Sequence, residues 1–413
     1  MSILKVENLA LHYRTRDGPV RAVDAINFTL EKGHTLALVG ESGSGKTSTA
    51  NAILRLLPRN VDRYDGTVMF DGTDVMKLTD EEFRKGVRWR GISMVFQGAM
   101  NALNPTARVG SQVAEPLKIH LSIEDEEAED RASESLRSVG LADYVERSYP
   151  HELSGGMKQR AIIAMALILK PNIVILDEPT SALDVMTQAN IINLLKRVKR
   201  EEGLSYLFIT HDLSLASELA DEVGIMYAGE LVEIGPAEKI YKDPQHPYTQ
   251  ALLASVPKLR SSEAPVSIPG VPPDLIRPPD GCRFHPRCAV AFDQCGWRAD
   301  EIARVLESAF QEGEAAQSLP PLAPIRVEDD LTVSVRPTGG NALQAALALV
   351  REILSSERER RRGLQGVQDV GIEDGAIVLR LHEGKVPTLI GGDQKASCLL
   401  LEKEGGDRED GAE

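Results

Sequence analysis

Cysteine is scarce in this sequence, and long apolar runs and an excess of positive charge are absent. Four cysteines in 413 residues exclude a disulfide framework. The longest apolar stretch, residues 161–169, ends at Lys170, whereas a membrane-spanning helix needs roughly 18 to 20 such residues. The 47 basic residues against 62 acidic ones argue against bulk electrostatic binding to nucleic acid or to acidic lipid.

The N-terminal residues lack the basic region, the apolar core and the small-residue cleavage site of a signal peptide. We therefore expect a reducing, cytoplasmic location, where cysteines bind metal or stay free more often than they form disulfides. The length and the 42% content of hydrophobic residues suffice for two or three domains, each with its own core.

Short apolar runs bounded by turn or polar residues indicate buried strands. They lie at residues 36–39, 92–96, 173–176 and 206–209. The first run leads through a glycine-rich turn into a predicted helix over residues 47–57. This alternation predicts an α/β fold, with a mostly parallel sheet covered by helices.

Composition changes mark the organisation of the remaining chain. The acidic run at residues 122–134 predicts the solvated face of a helical insertion. The proline-rich stretch 265–279 predicts an extended connector, so we expect the first domain to end near Pro257. Alternating and helical apolar patterns predict a small α+β module within residues 299–394, and the acidic residues 402–413 predict a frayed tail.

A phosphate-binding loop is predicted where the first strand meets its helix. The segment Gly40-Glu-Ser-Gly-Ser-Gly-Lys-Thr47 has glycines that let backbone N–H groups surround phosphate oxygens at a helix N-terminus. Lys46 is expected to reach the β and γ phosphates, and the Thr47 hydroxyl to bind Mg²⁺. The predicted ATP-binding residues of this segment are Gly40, Ser42, Gly43, Gly45, Lys46, Thr47 and Ser48.

Two carboxylates follow the buried run at residues 173–176. Because the ends of parallel strands converge at one edge of a sheet, Asp177 can hold the magnesium shell and Glu178 can face an attacking water. Combined with the phosphate loop, this pair predicts nucleotide hydrolysis, with Glu178 as the general base or water-orienting group.

The segment Leu153-Ser-Gly-Gly-Met-Lys-Gln-Arg160 resembles the signature of ATP-binding cassette (ABC) proteins. Gln97, Asp184 and His211 resemble the Q-loop, D-loop and switch histidine of that family, in the family's order. The resemblance implies a RecA-like core over residues 1–257, with an antiparallel β subdomain and a helical subdomain at about residues 98–165.

The resemblance also implies roles for individual residues. Glu178, His211 and Gln97 are expected to be catalytic, and Gln97 is expected to join Thr47 and Asp177 in binding magnesium. The family sandwiches ATP between two subunits, and the signature of one subunit acts on the ATP of its partner. Tyr13 matches the position that stacks on adenine, although an aromatic near a first strand is also an ordinary core residue. The signature residues expected to act on the partner's ATP are Ser154, Gly155, Gly156 and Gln159.

Residues 243–257 and 281–288 closely resemble the tail of oligopeptide/dipeptide (and nickel) importer ATPases, and the signature suits the first of that family's two paralogous ATPases. The implied partners are a second ATPase subunit, two transmembrane permeases and an extracytoplasmic solute-binding protein. The chain would lie at the cytoplasmic face of the membrane, contacting it only through the permeases and binding no nucleic acid. An oligosaccharide or nickel cargo stays open, as does a non-transport ABC ATPase that acts on nucleic acid or ribosomes.

Three cysteines, Cys282, Cys288 and Cys295, are spaced too widely for common zinc knuckles. The resembled subfamily carries a four-iron four-sulfur (4Fe-4S) cluster in this tail. Its last ligand would be Cys398, because residues 395–403 resemble the family's final cysteine segment, and residues 299–394 would then be an insertion. A zinc site and four free thiols are the alternatives.

Overall fold

The structure, a computed structural model, describes residues 1–256, 267–311, 324–337, 343–356 and 362–402. The start of the predicted connector, residues 265 and 266, and the acidic tail from residue 403 onward lie outside the described residues. The chain divides into two compact units, Met1–Asp243 and Pro244–Glu413. The boundaries inferred from the sequence, at residues 257, 298 and 394, stay predictions.

The first unit alternates strands and helices. Its strands are β1 (Ser2–Arg14), β2 (Pro19–Glu31), β3 (Thr35–Val39), β4 (Val61–Phe70), β5 (Thr73–Asp74), β6 (Ile92–Val95), β7 (Ile173–Asp177), β8 (Ser205–Thr210), β9 (Glu222–Tyr227) and β10 (Glu230–Pro236). Its helices are α1 (Lys46–Ile53), α2 (Asp80–Glu82), α3 (Val109–Leu121), α4 (Asp125–Ser138), α5 (Gly155–Leu167), α6 (Val185–Glu202), α7 (Leu213–Leu219) and α8 (Ala237–Lys242). A π-helical turn, Phe83–Val87, follows α2.

A central parallel sheet confirms the predicted α/β class. Its strands run in the order β9-β3-β8-β7-β6, and β10 adds to β9 in antiparallel orientation. Every residue of β3, β6, β7 and β8 is buried. Burial on both faces explains why these strands read as continuous apolar runs in the sequence.

A second sheet, ordered β2-β1-β4-β5, is antiparallel throughout. Helices α3, α4 and α5 pack against one another. The acidic run of the sequence lies on α4, which buries only Ala128, Ala132 and Leu136. These small or apolar residues recur every four positions and form one face of the helix, while the carboxylates face solvent.

The second unit contains an α+β module. The helices of the whole unit are α9 (Pro247–Ala254), α10 (Ala299–Gln311) and α11 (Leu343–Ser356), of which α10 and α11 belong to the module. Its strands are β11 (Arg326–Asp329), β12 (Thr332–Val335), β13 (Val367–Glu373), β14 (Ala376–Leu381), β15 (Ile390–Gly391) and β16 (Lys395–Ala396). Strands β11, β12, β14 and β13 form an antiparallel sheet in that order. The predicted apolar helix face is observed in α11, where Leu347 and Val350 are buried and Leu343 and Leu354 pack against the same core.

Two strand predictions differ in extent from the structure. Residues 325–335 form two strands instead of one, because the Asp329 side chain accepts a hydrogen bond from the Leu331 backbone and turns the chain. The strand predicted over residues 376–390 ends at Leu381, before a segment that contains Gly384 and Pro387. Proline cannot donate a hydrogen bond to a sheet, so this segment leaves the ladder.

In the part of the chain that the structure describes, no helix combines the length and the apolarity needed to cross a membrane.

Candidate active site

The glycine-rich loop joins β3 to α1, and two of its glycines are required by close backbone contacts. A Cβ on Gly40 would lie 2.1 Å from the Met226 carbonyl oxygen, and one on Gly45 would lie 2.2 Å from that of Ala22. Gly45 also has φ of 102° at the start of α1, a conformation that favours glycine. Neither position can carry a larger residue without moving the loop.

Lys46 lies at the first turn of α1, with its ammonium group inside the loop. Its Nζ donates to the carbonyl oxygens of Gly40 and Glu41 at 2.7 and 2.8 Å and to the Ser44 hydroxyl at 3.3 Å. Burial lowers the pKa of Lys46, and nearby carboxylates, Glu178 first, oppose this effect. The loop thus holds a desolvated cation where phosphate oxygens are expected.

Thr47 and Asp177 meet at the end of β7, although 130 residues separate them. The Thr47 hydroxyl donates to Asp177 Oδ1 at 3.1 Å. Asp177 is 1% exposed, and burial, reinforced by the neighbouring Glu178, raises its pKa to about 6 while the Thr47 hydrogen bond opposes the shift. A hydroxyl and a carboxylate oxygen are ligands that magnesium prefers.

Glu178 lies where the chain leaves β7, and its carboxylate connects two further predicted site residues. Oε2 accepts a hydrogen bond from Gln97 Nε2 at 2.9 Å, and Oε1 lies 2.9 Å from His211 Nδ1. Glu178 has φ of 45°, a strained value for a residue with a side chain. Its backbone N–H donates to the Ile209 carbonyl, which keeps the carboxylate between β6 and β8.

Tyr13 lies beside the start of α1. Its hydroxyl donates to Ser48 Oγ at 3.2 Å, and its ring is half-buried. The stacking of this ring on adenine stays a prediction.

The signature residues lie at the start of α5. Ser154 and Gly155 are exposed, whereas Gln159 is 3% exposed. Ser154 Oγ accepts from the Met157 backbone N–H at 3.3 Å, and a Cβ on Gly156 would lie 2.7 Å from Thr187 Cγ2. Within the part of the chain that the structure describes, Ser154 forms hydrogen bonds only with residues at the start of α5. It forms none with the phosphate loop of its own chain.

Asp184 caps the N-terminus of α6. Its carboxylate accepts from the Thr187 hydroxyl at 2.7 Å and from the Thr187 backbone N–H at 3.0 Å. These hydrogen bonds lower the pKa of Asp184. Thr187 therefore contacts both Asp184 and Gly156, a link that no local pattern in the sequence predicts.

The four cysteines of the second unit line one cavity. Cys282, Cys288, Cys295 and Cys398 share it with His246, His285 and apolar side chains that include Phe284 and Phe292. Burial raises the pKa of Cys282 and Cys295, that of Cys295 to about 11, and the neighbouring cysteines reinforce both shifts. Among the described residues, no cluster of three or more His, Cys, Asp or Glu side chains could hold a metal ion.

Comparison with known proteins identifies the family. A family model described as ABC transporter matches residues 23–181, and one described as oligopeptide/dipeptide transporter, C-terminal region, matches residues 232–295. The oligopeptide transport ATP-binding protein OppD of Bacillus subtilis is 47% identical over 295 residues, which are 70% of this chain and 82% of that protein. This chain belongs to the ABC transporter family. Its ATP site is accordingly that of an ATPase.

Further relatives agree with this assignment. The dipeptide transport ATP-binding protein DppD of Caldanaerobacter subterraneus is 43% identical over 320 residues, covering 75% of this chain and 98% of that protein. Among solved structures, the dimeric ATP-binding cassette MJ0796 bound to ADP and Pi is 30% identical with a TM-score of 0.51, covering 57% of this chain and 98% of that one. These matches confirm the predicted ABC ATPase fold.

Three polar side chains around the two sites were not predicted from the sequence. Ser44, a buried loop residue, accepts from Lys46; its only sequence signal is its place inside the phosphate loop. In the cysteine region, buried His285 pairs with Glu301 at 3.1 Å. Nothing in the local spacing of these two residues predicts that pair, because Glu301 belongs to a separate helix.

Replacement of Glu178 with Gln is expected to abolish turnover while leaving ATP binding intact. Gln keeps the size and one acceptor but cannot take a proton from water, so we expect kcat to fall by about a hundredfold or more. Steady-state hydrolysis and equilibrium ATP binding test this. Glu201→Gln, on the exposed face of α6, is the matched control, and comparable rates in Glu178→Gln and the wild type would refute the role.

Replacement of Asp177 with Asn is expected to stabilise the protein without Mg²⁺ while abolishing Mg²⁺-dependent hydrolysis. The raised pKa, about 6, means that ionised Asp177 opposes folding. The penalty is complete above that pH and disappears as the pH falls toward the ordinary carboxyl value. We therefore expect the unfolding free energy at pH 7 to rise by about 1 to 3 kcal/mol.

Urea unfolding without nucleotide at pH 7 and pH 5 measures this effect. The gain should shrink at the lower pH, where wild-type Asp177 is protonated. Asp130→Asn, an exposed position on α4, controls for the loss of one surface charge. A gain that is absent at pH 7, or equal at the two pH values, would contradict the prediction.

Proposed function

We propose that this chain is the ATP-hydrolysing subunit that drives the import of di- and oligopeptides through an ABC transporter. The observation that carries the proposal is the match of residues 232–295 to the oligopeptide/dipeptide transporter C-terminal region, on a chain that also contains the ATP site. Relatives that are 43 to 47% identical are named as oligopeptide or dipeptide transport ATP-binding proteins.

In the proposed mechanism, Glu178 orients the attacking water and takes its proton. Gln97 and His211, at 2.9 Å on either side of the Glu178 carboxylate, hold it in place and connect it to the ends of β6 and β8. Lys46 and the loop N–H groups of Gly40 to Thr47 would bind the phosphates. Thr47, Asp177 and Gln97 would hold Mg²⁺, which neutralises charge on the phosphate oxygens when bound.

The proposed catalytic unit needs a second ATPase subunit. The sequence contains one phosphate loop and one signature, and Ser154 and Gly155 are exposed. Together with Gly156 and the buried Gln159, they form the start of α5. This helix start would complete the ATP site of the partner through a hydroxyl, backbone amides and the helix N-terminus. We propose a paralogue as the partner, with Asp184 at the shared interface.

Two transmembrane permeases and an extracytoplasmic solute-binding protein would complete the transporter, with this chain at the cytoplasmic face of the membrane. The segment after Gln97 would transmit closure of the ATPase pair to the permeases, because Gln97 contacts the Glu178 carboxylate directly. Loss of the γ-phosphate would then release the pair and reset the permeases.

The isolated complex, reconstituted in lipid vesicles with its binding protein, tests this function. Addition of a mixture of di- and oligopeptides is expected to raise ATP hydrolysis and to load peptide into the vesicles. The same complex with Glu178→Gln is the control and should do neither. Stimulation by oligosaccharides or Ni²⁺ instead of peptides would refute the cargo, and co-purification with ribosomes or DNA instead of permeases would refute the transport role.

We further propose that Cys282, Cys288, Cys295 and Cys398 bind a 4Fe-4S cluster with a structural role. Their sharing of one cavity supports this proposal, because such a cluster takes one thiolate on each of its irons. Burial raises the pKa of Cys282 and Cys295 and so disfavours their thiolate forms. A cationic group that binds the thiolates would neutralise their negative charge inside the cavity.

We propose the cluster instead of a single zinc ion because the two groups differ in how their ligands are arranged. Zinc requires its thiolates within about 2.3 Å of one centre, and no such group occurs among the residues that the structure describes. A cluster spreads its four ligands over separate irons, so cysteines that line a cavity without converging on one point are compatible with it.

Anaerobically purified protein is expected to contain about four irons per chain and to absorb broadly near 400 nm. Cys398→Ser should lose most of this iron, because one iron of the cluster would then be without its thiolate ligand. Metal analysis and visible spectroscopy make the measurement. Protein that lacks iron, or that carries one zinc per chain, would contradict the cluster.

A further inference from the structure

Residues 299–394 have no role in the proposed ATPase cycle, yet those of them that the structure describes share an apolar core with the cysteine region. Cys295, Trp297 and Ala291 belong to the same buried cluster as side chains of α10, α11 and the four-stranded sheet, and Cys288 and Phe292 pack against that cluster. A module that merely interrupted the cysteine motif could have a core of its own. Here the cysteine loop (residues 281–297) and the module bury the same apolar surface.

One buried polar connection joins the module to the first cysteine. The His285 side chain is fully buried; its Nδ1 lies 2.7 Å from the Cys282 carbonyl oxygen, and its Nε2 lies 3.1 Å from Glu301 Oε2. A carbonyl oxygen only accepts, so Nδ1 must carry a proton and donate it. Glu301 lies in the first turn of α10, the first helix of the module.

The orientation of the imidazole is restricted on its other sides. The Trp297 ring contacts it edge-on at 4.5 Å between centroids, and the Trp297 indole N–H donates to the Phe292 carbonyl at 2.8 Å. Glu301 Oε2 also accepts from the Arg298 backbone N–H at 3.0 Å. Glu301 therefore has a fixed position, and it fixes the ring that holds the Cys282 carbonyl.

The far end of the module contacts the same loop. The Lys385 backbone N–H donates to the Gln294 carbonyl at 3.0 Å. A Cβ on Gly384 would lie 2.4 Å from Gly296 Cα, and one on Gly281 would lie 2.9 Å from the Lys385 carbonyl oxygen. The backbone on both sides of the cysteine loop is therefore in direct contact with the module.

We propose that the inserted module positions the cysteine loop, with Glu301 and His285 as positioning residues that set the place of Cys282 for cluster binding. The proposal rests on the cluster proposed above. The module would thus compensate for the long separation of Cys398 from the other three ligands, because it packs on the loop that carries them.

The first test compares three full-length variants purified without oxygen. Glu301→Ala removes the acceptor of His285, Glu301→Gln retains an acceptor oxygen, and Glu307→Ala is an exposed control on the same helix. On addition of an iron chelator, we expect visible absorption to be lost about tenfold faster in Glu301→Ala than in the wild type. Glu301→Gln should restore most of the resistance, and Glu307→Ala should behave as the wild type.

A spectroscopic measurement separates positioning from a general loss of stability. The EPR spectrum of the reduced cluster should change in Glu301→Ala, because Cys282 is displaced, whereas a cluster that is only lost sooner keeps the wild-type spectrum. Rates and spectra of Glu301→Ala that equal those of the wild type would overturn the positioning role.

Failure of the cluster itself gives a different result. If wild-type protein lacks iron, the cluster proposal fails, and alkylation of the metal-free chain, followed at Cys282 by mass spectrometry, tests positioning separately. Faster alkylation of Cys282 in Glu301→Ala than in the wild type would support it, and equal rates would overturn it.

A second pair of variants tests the far end of the module without touching Glu301. Gly384→Ala forces a Cβ against the Gly296 backbone, whereas Gly371→Ala, on β13, has open space around its Cβ. We expect faster chelation of iron in Gly384→Ala only. Equal rates in this pair would overturn the contribution of residues 384–385.

Discussion

The carboxyl ends of β3, β6, β7 and β8 meet at one edge of a sheet that is buried on both faces, and the ATP site depends on this constraint. In-register parallel pairing of β7 with β6 and β8 aligns residues that are far apart in the chain. Gln97, Glu178 and His211 each follow one of these strands. A shift of one residue in any pairing would turn the strand's buried side chains over and separate the three groups.

Electrostatics at that edge are arranged around one buried cation and two carboxylates. Lys46 uses loop carbonyls and Ser44 as acceptors, while Asp177 keeps a raised pKa of about 6 because it is buried beside Glu178. Groups that are poorly solvated in the protein respond strongly to phosphate oxygens and a divalent cation. The same burial that costs stability therefore prepares the site for its ligand.

In the second unit, the physical constraint is a shared apolar core. Trp297, Cys295 and the side chains of α10 and α11 exclude water together, so the cysteine loop cannot move without disturbing the module. The buried His285–Glu301 pair also fixes the orientation of the His285 ring, because a hydrogen bond restricts an angle and an apolar contact does not. The long stretch of chain between Cys295 and Cys398 is compatible with their common cavity for this reason.

Local patterns in the sequence predicted the buried strands and the glycine-rich loop, because strand burial and glycine spacing are visible within a few neighbouring residues. The helix predicted over residues 47–57 is shorter in the structure and ends at Ile53. Local patterns also predicted the apolar face of α11 and the acidic face of α4. The strand predicted over residues 376–390 extended too far, since an apolar alternation does not show where hydrogen-bonding partners end. The resemblance to ABC proteins supplied the expected roles of Gln97, Asp184 and His211, which local patterns alone do not distinguish from ordinary polar positions.

By itself, then, the sequence determined the α/β class, the ABC signature set and the four cysteines. Only the tertiary structure decided which atoms meet: Thr47 with Asp177, Glu178 with Gln97 and His211, His285 with Glu301, and Cys398 with the other three cysteines at one cavity. These contacts join residues from separate elements, and their distances follow from sheet register and core packing, which no local pattern encodes.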